Sequence, residues 1–165
     1  MRVLAMAAVV LIGLSTLVSP AHAVQVSRQE MINRAKSWLT ANNGRPVPYS
    51  TTSYWGAEGY RQDCSGFVSM AAKIGAPGER TVELAQWPFS TGIAMSDLRW
   101  GDIVVDPEGT ETTRHVVIFE KWADPYKTAY HAYEQRGTYG TTYRVLRYGL
   151  GGDQYVARRL TNVTG

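Results

Sequence analysis

The chain has 165 residues, a formal charge of +3 and a single cysteine. Its positive residues are scattered, which excludes the basic footprint of a nucleic-acid binder, and one cysteine excludes an internal disulfide. There is no Pro/Ser-rich linker, charge block or internal repeat to divide the chain beyond its amino-terminal segment.

That segment reads as a secretory signal peptide. Arg2 supplies a positive start, Val3 to Val18 is apolar apart from Gly13, Ser15 and Thr16, and Pro20 breaks the run. Ala21-His22-Ala23 then places small residues at the two positions a signal peptidase reads, so cleavage is expected after Ala23. The apolar run is shorter than the roughly 20 residues of a spanning helix, so no integral membrane span is expected. Residues 24–165 are long enough for one domain with a real hydrophobic core and too short for two. The expected product is a secreted monomer at the cell exterior or wall. Loss of Arg2 lowers its formal charge by one.

Ser27-Arg28-Gln29-Glu30 has the form of a capping box, Ser at the cap and Glu three residues on. The helix it opens carries Ile32, Ala35, Trp38 and Leu39 on one face and should end near Asn42-Asn43-Gly44. From Arg45 to Gln62 the composition is that of an irregular surface loop. Phe67, Val68, Ala71, Ala72 and Ile74 mark a second helix, starting at Cys64 or Ser65 and stopped by Gly75 and Pro77. A short helix is expected around Val82 to Ala85. Strand patterns follow at Asp102 to Val105, His115 to Glu120, Thr128 to Tyr133, Tyr143 to Arg147 and Tyr155 to Leu160. Helices first and strands afterwards predict an α+β fold, with N-terminal helices packed on an antiparallel β-sheet.

The lone thiol stands in Asp63-Cys64-Ser65-Gly66-Phe67-Val68, directly after a loop and at the start of a helix. Free backbone N–H groups and the positive end of the helix dipole favour a thiolate there. The same N–H groups suit the oxyanion of a tetrahedral intermediate. A cysteine serving only as a small buried hydrophobe would fall more naturally further along the apolar face. Gly66, a poor helix former, allows something to approach closely in the first turn. A thiol hydrolase also needs a base, and beyond residue 23 the chain offers only His115 and His131. His115 opens the apolar run Val116-Val117-Ile118-Phe119 after a polar stretch, which puts it at the mouth of a buried strand, facing a cleft. The alternative is a surface or satisfied core histidine.

Three motifs in this order, Asp63-Cys64-Ser65-Gly66-Phe67-Val68, Leu98-Arg99-Trp100-Gly101-Asp102-Ile103-Val104 and His115-Val116-Val117-Ile118-Phe119, resemble the NlpC/p-sixty family of papain-like cell-wall cysteine peptidases. Val156-Ala157-Arg158-Arg159 resembles that family's last strand, so the likeness covers about Val47 to Leu160. The resemblance implies a papain-like catalytic domain over residues 24–165, with Cys64 as nucleophile and His115 as general base. It implies peptidoglycan stem peptides as partners, cut most plausibly between D-γ-glutamate and a diamino acid. Tyr49 and Asp63 sit where family members hold the free amine of a stem peptide, and Ser65 where they place another substrate or support contact. Read from the residues alone, Tyr49 is equally a packed loop aromatic and Asp63 equally a helix cap. An amidase or acyltransferase on the same scaffold, or a secreted binding or inhibitor protein without turnover, are the alternatives.

The residue that orients His115 departs from the family's pattern, in which a second histidine often follows on the next strand. Pairing His115 with His131 centres the turn on Ala123 and puts Pro125 into the ladder, where it has no N–H to donate. Pairing His115 with Glu134 centres the turn between Asp124 and Pro125, a strong turn dipeptide, and supplies a carboxylate. Glu134 is therefore expected as the third catalytic residue and His131 as the substitute, with a one-residue bulge able to alter the register. One Cys and two His without close spacing make no metal site, and no cofactor is expected.

Overall fold

The computed structural model describes residues 24–165, so the expected signal peptide lies outside the described residues. The elements in chain order are β1 (Val26–Ser27), α1 (Arg28–Ser37), β2 (Tyr54–Trp55), β3 (Tyr60–Arg61), α2 (Cys64–Ala71), α3 (Thr81–Leu84) and β4 (Ser90–Gly92). A short 3-10 turn, Met95–Asp97, leads to β5 (Ile103–Asp106), β6 (His115–Trp122), β7 (Tyr130–Arg136), β8 (Gly140–Leu146), β9 (Val156–Leu160) and β10 (Val163–Thr164). Six strands form an antiparallel sheet in the order β4-β9-β5-β6-β7-β8, and β1 pairs with β10 in parallel. The chain is α+β, as its pattern predicts. No helix among the described residues is long and apolar enough to cross a membrane.

Alternation along the strands splits the core in two. Ile103, Val105, Val116, Ile118 and Tyr133 pack with α1 and α2, whereas Val104, Val117, Phe119, Tyr130, Ala132 and Leu146 fill the opposite face of the sheet. Every residue of α2 is buried, and Phe67 meets Trp38 with ring centroids 5.6 Å apart. Burying a side chain such as Phe67 or Val68 contributes about 1.5–3 kcal/mol. The helix that carries Cys64 is thus among the most firmly held parts of the molecule.

Three expectations need correction. The segment from Arg45 to Gln62, expected as an irregular surface loop, holds the β2–β3 hairpin and buries Val47, Tyr60, Arg61 and Gln62. The first helix starts where expected, with Ser27 Oγ accepting from the Glu30 N–H at 3.1 Å, but it ends at Ser37 rather than near Gly44. The Trp38 carbonyl accepts from Val47 N instead of continuing the helix, and Asn42 N turns to the carbonyl of Arg45. The β6–β7 register also differs. Asp124 and Pro125 do make the turn, but as its first and second residues: Lys127 N donates to the Asp124 carbonyl and Tyr126 N to Asp124 Oδ1. These are the positions a type I turn favours for Asp and Pro. The ladder consequently begins at Trp122 opposite Tyr130, its centre later than the dipeptide suggests.

A bulge then corrects the face. Phe119 pairs with Ala132 and Lys121 with His131, so Glu120 is an additional residue in β6. Without it, Glu134 would lie opposite Ile118 and point toward the helices. With it, Ile118 pairs with Tyr133, so by alternation Glu134 takes the face of Val117 rather than that of Ile118. His115, two residues before Val117, is the diagonal neighbour of Glu134 on the same face, within reach of a long side chain. His131, three positions before Glu134 on β7, has the opposite parity and points away.

A buried cluster ties these layers together behind the sheet's start. Asp102, 1 % exposed, accepts from Arg28 Nη1 at 2.9 Å, Arg159 Nη2 at 2.7 Å and the Arg99 N–H at 2.8 Å. The Gly101-Asp102 motif is therefore an anchor joining α1, β5 and β9, well supplied with charge-assisted bonds.

Candidate active site

Asp63 is the cap of α2: its extended backbone (φ −94°, ψ 177°) turns Oδ1 onto the Gly66 N–H at 2.6 Å. The N–H groups of Cys64 and Ser65 have no partner within the helix and remain directed at the space in front of it. Asp63 Oδ2 accepts from Arg61 Nε at 2.8 Å, and Ser65 Oγ lies 3.2 Å both from Asp63 Oδ1 and from Arg61 Nη2. Arg61 is itself buried and also donates to the carbonyls of Gly78 and Glu79. Sequence reasoning missed this arginine, although Gly66 was the signal for it. A Cβ on Gly66 would stand 2.2 Å from the Arg61 carbonyl oxygen, so the close neighbour in the first turn is the chain's own backbone. Gly66→Ala is expected to destabilise the protein by about 3 kcal/mol or more, the upper range for overpacking, because backbone cannot yield as a side chain does. Thermal or urea unfolding checks this; an unchanged midpoint would contradict the packing described.

Cys64 is the first residue of α2 and His115 the first of β6, and the two side chains are near enough to be coupled electrostatically. The His115 imidazole is hydrogen-bonded through Nε2 to Glu134 Oε2 at 2.9 Å and is close enough to the Cys64 thiol to feel its charge. Burial pulls the pKa of His115 down, but the bonds to Cys64 and Glu134 outweigh it and lift it to about 9. Glu134 is fully buried. Burial alone would raise its pKa, yet the bonds from His115 and Arg144 hold it below the ordinary carboxylate range. Arg144 Nε donates to Oε1, and Thr142 Oγ1 lies 3.3 Å from the same oxygen. The expected contact between Glu134 and His115 is thus present, reached through a diagonal rather than a direct pair. His131 stacks on Tyr143 at 5.5 Å, on the other side of β7.

Tyr49, Asp63 and Ser65 all line one cleft with Cys64, a space of about 170 Å³ completed by Thr51, Thr81 and Arg114 among others. Burial, then the nearby Cys64 and Asp63, push the Tyr49 hydroxyl up to about 12, so it stays a donor at neutral pH. Thr81 is buried with Oγ1 3.9 Å from Cys64 Sγ, a contact no sequence feature announced. A second space, about 310 Å³, opens on the far side of His115 between Tyr49, Arg114, Arg144 and the stacked rings of Tyr148 and Tyr155. Gln135, fully buried, donates to the carbonyls of Pro48 and Gln62 at 3.1 and 3.0 Å and so fixes the Tyr49 loop and the approach to Cys64 on the sheet. Among the described residues no group of three or more His, Cys, Asp or Glu is placed to hold a metal ion. A thiol, an imidazole held by a buried carboxylate and free N–H groups at a helix start are together the parts of an acyl-transfer centre.

The fold is similar to that of a Staphylococcus aureus protein described as similar to lipoprotein and of the NLP/P60 family, with a TM-score of 0.54 at 18 % identity. The match covers 89 % of this chain and 46 % of that one, so the chain spans less than half the length of its structural neighbour. At this identity the likeness is one of fold. No protein-family model and no curated protein matches the chain.

Proposed function

We propose that the chain is a secreted cysteine hydrolase that cuts peptide bonds in peptidoglycan stem peptides, in the first place between D-γ-glutamate and a diamino acid. One observation carries the reading: His115 is held by buried Glu134 and is coupled electrostatically to Cys64, with a cleft opening beside each of the two residues. The Cys64 sulfur attacks the amide carbonyl, and the oxyanion is received by the N–H groups at the start of α2. Protonated His115 gives its proton to the leaving amine, so the C–N bond breaks and an S-acyl enzyme remains. His115 then takes a proton from water, whose oxygen displaces the sulfur and releases the acid.

Tyr49, Asp63 and Ser65 hold the free amine end of the stem peptide in the cleft beside Cys64. Asp63 keeps acceptor capacity for an ammonium after capping α2, although Arg61 offsets much of its charge. Export rests on the leader pattern before Val24. Digestion of purified peptidoglycan followed by mass spectrometry tests the reading. The expected result is new amino termini on the diamino acid and new carboxyl termini on γ-glutamate. Intact wall, or new ends only between sugar and peptide, would contradict it, the first favouring a binding protein and the second an amidase.

A further inference from the structure

Arg114 stands apart from the other arginines around the clefts. Arg61 is bonded to Asp63 and two carbonyls, Arg80 to Glu111, and Arg144 to Glu134 and Tyr148. Arg136 also has a buried Nε without a hydrogen-bond partner, but its guanidinium lies 3.8 Å over the ring of Tyr139 and its Nε is 3.5 Å from Glu134 Oε1. Among the described residues the Arg114 guanidinium makes no hydrogen bond or ion pair, and its Nε is buried without a partner. The residue is only half-buried, but it lines both clefts, the one beside Cys64 and the one beside His115.

A guanidinium partly withdrawn from water and left unpaired is costly unless something supplies the missing acceptor. On the Cys64 side the carboxylates are Asp63, engaged by Arg61 and the Gly66 N–H, and Glu111, engaged by Arg80. On the His115 side the one carboxylate is Glu134, whose two oxygens are already occupied by His115, Arg144 and Thr142. The fork of N–H donors on arginine matches a carboxylate, which it can grip with two parallel bonds. We propose that Arg114 binds a carboxylate of the substrate adjacent to the scissile bond and thereby makes the site selective for acidic peptides. This deepens the hydrolase reading of the same clefts and rests on it.

A γ-glutamyl–diamino acid peptide offers two such groups. One is the α-carboxylate of the γ-linked glutamate, on the acyl side; the other is the side-chain carboxylate of diaminopimelate, on the amine side. Because Arg114 lines both clefts, the test separates the two. Four peptides of the form L-Ala-γ-D-Glu-X are compared, with the glutamate α-carboxylate free or amidated and X either diaminopimelate or lysine. With the wild-type protein, kcat/KM should fall about 10- to 100-fold when the carboxylate read by Arg114 is removed. Amidation being the damaging change assigns the glutamate; lysine being the damaging change assigns diaminopimelate. In Arg114→Gln the acidic peptide should lose a similar factor and the ratio between peptides should approach one, which a merely structural role for Arg114 would not produce. Equal cleavage of all four peptides by the wild type, or an unchanged ratio in Arg114→Gln, overturns the proposal and leaves the hydrolase reading standing.

Calorimetric binding of the same four peptides to Cys64→Ala, with and without Arg114→Gln, covers the case in which none is cut. Binding that depends on the carboxylate and on Arg114 then sustains the proposal while the hydrolase reading falls. Absence of that dependence overturns both.

Discussion

Cys64→Ala is expected to abolish hydrolysis of wall peptides, a loss of at least about a thousandfold in kcat, while the protein remains folded. Removing one sulfur atom from a residue 6 % exposed, at the first position of a helix whose cap lies elsewhere, costs little packing. His115→Ala should be as damaging, because without the imidazole the thiol has no partner for its proton and the leaving amine no donor. The two residues act as a unit, so the double variant should be little slower than either single one. Steady-state assays on a defined stem peptide, with circular dichroism to check folding, measure this. Substantial turnover in either single variant would move the chemistry to another group.

The second large effect is expected at Glu134. Its carboxylate is buried, carries charge next to the imidazolium and holds the ring of His115 through Nε2. Glu134→Gln keeps the shape but removes the charge, so kcat should fall by on the order of ten-thousandfold, as when the orienting carboxylate of a serine-hydrolase triad becomes an amide. The accompanying change in pKa has a definite sign. Burial disfavours the imidazolium and Glu134 favours it, so without that charge the pKa of His115 should drop from about 9. NMR titration of His115 reads this shift separately from any loss of stability caused by Arg144. His131→Ala, on the opposite side of β7, should leave kcat within about twofold and the His115 titration in place. If His131→Ala were the more damaging substitution, the orienting role would belong to His131.

What could be read from the sequence depended on how local its cause is. The start of α2 at Cys64 was legible because Asp63 is a strong cap and apolar spacing follows it. The central strands were legible for the same reason, since Val104, Val117 and Phe119 alternate with residues of the other core. The short pairs β1–β10 and β2–β3 and the edge strand β4 carry no periodicity, being two or three residues long and defined by their partners. Asp124 and Pro125 identified the β6–β7 turn but not its centre. The bulge at Glu120 then restored a register in which Glu134 shares a face with His115. That bulge is stabilised from a distance, Glu120 accepting from Tyr133 Oη at 2.8 Å and from Tyr143 Oη.

The roles of Arg61 and Thr81 were hidden for a related reason. Each meets the Cys64 region only once the segment from Gly78 to Thr81 has folded back over α2.

The most direct test of the central claim, that Cys64 is a thiol activated by His115 in an open cleft, is its rate of alkylation in the folded protein. Iodoacetamide at neutral pH, with the modified residue located by mass spectrometry, should label Cys64 in the wild type at least about tenfold faster than in His115→Ala. Equal rates in the two proteins, or no labelling until the protein is unfolded, would make Cys64 a buried structural residue and contradict the account.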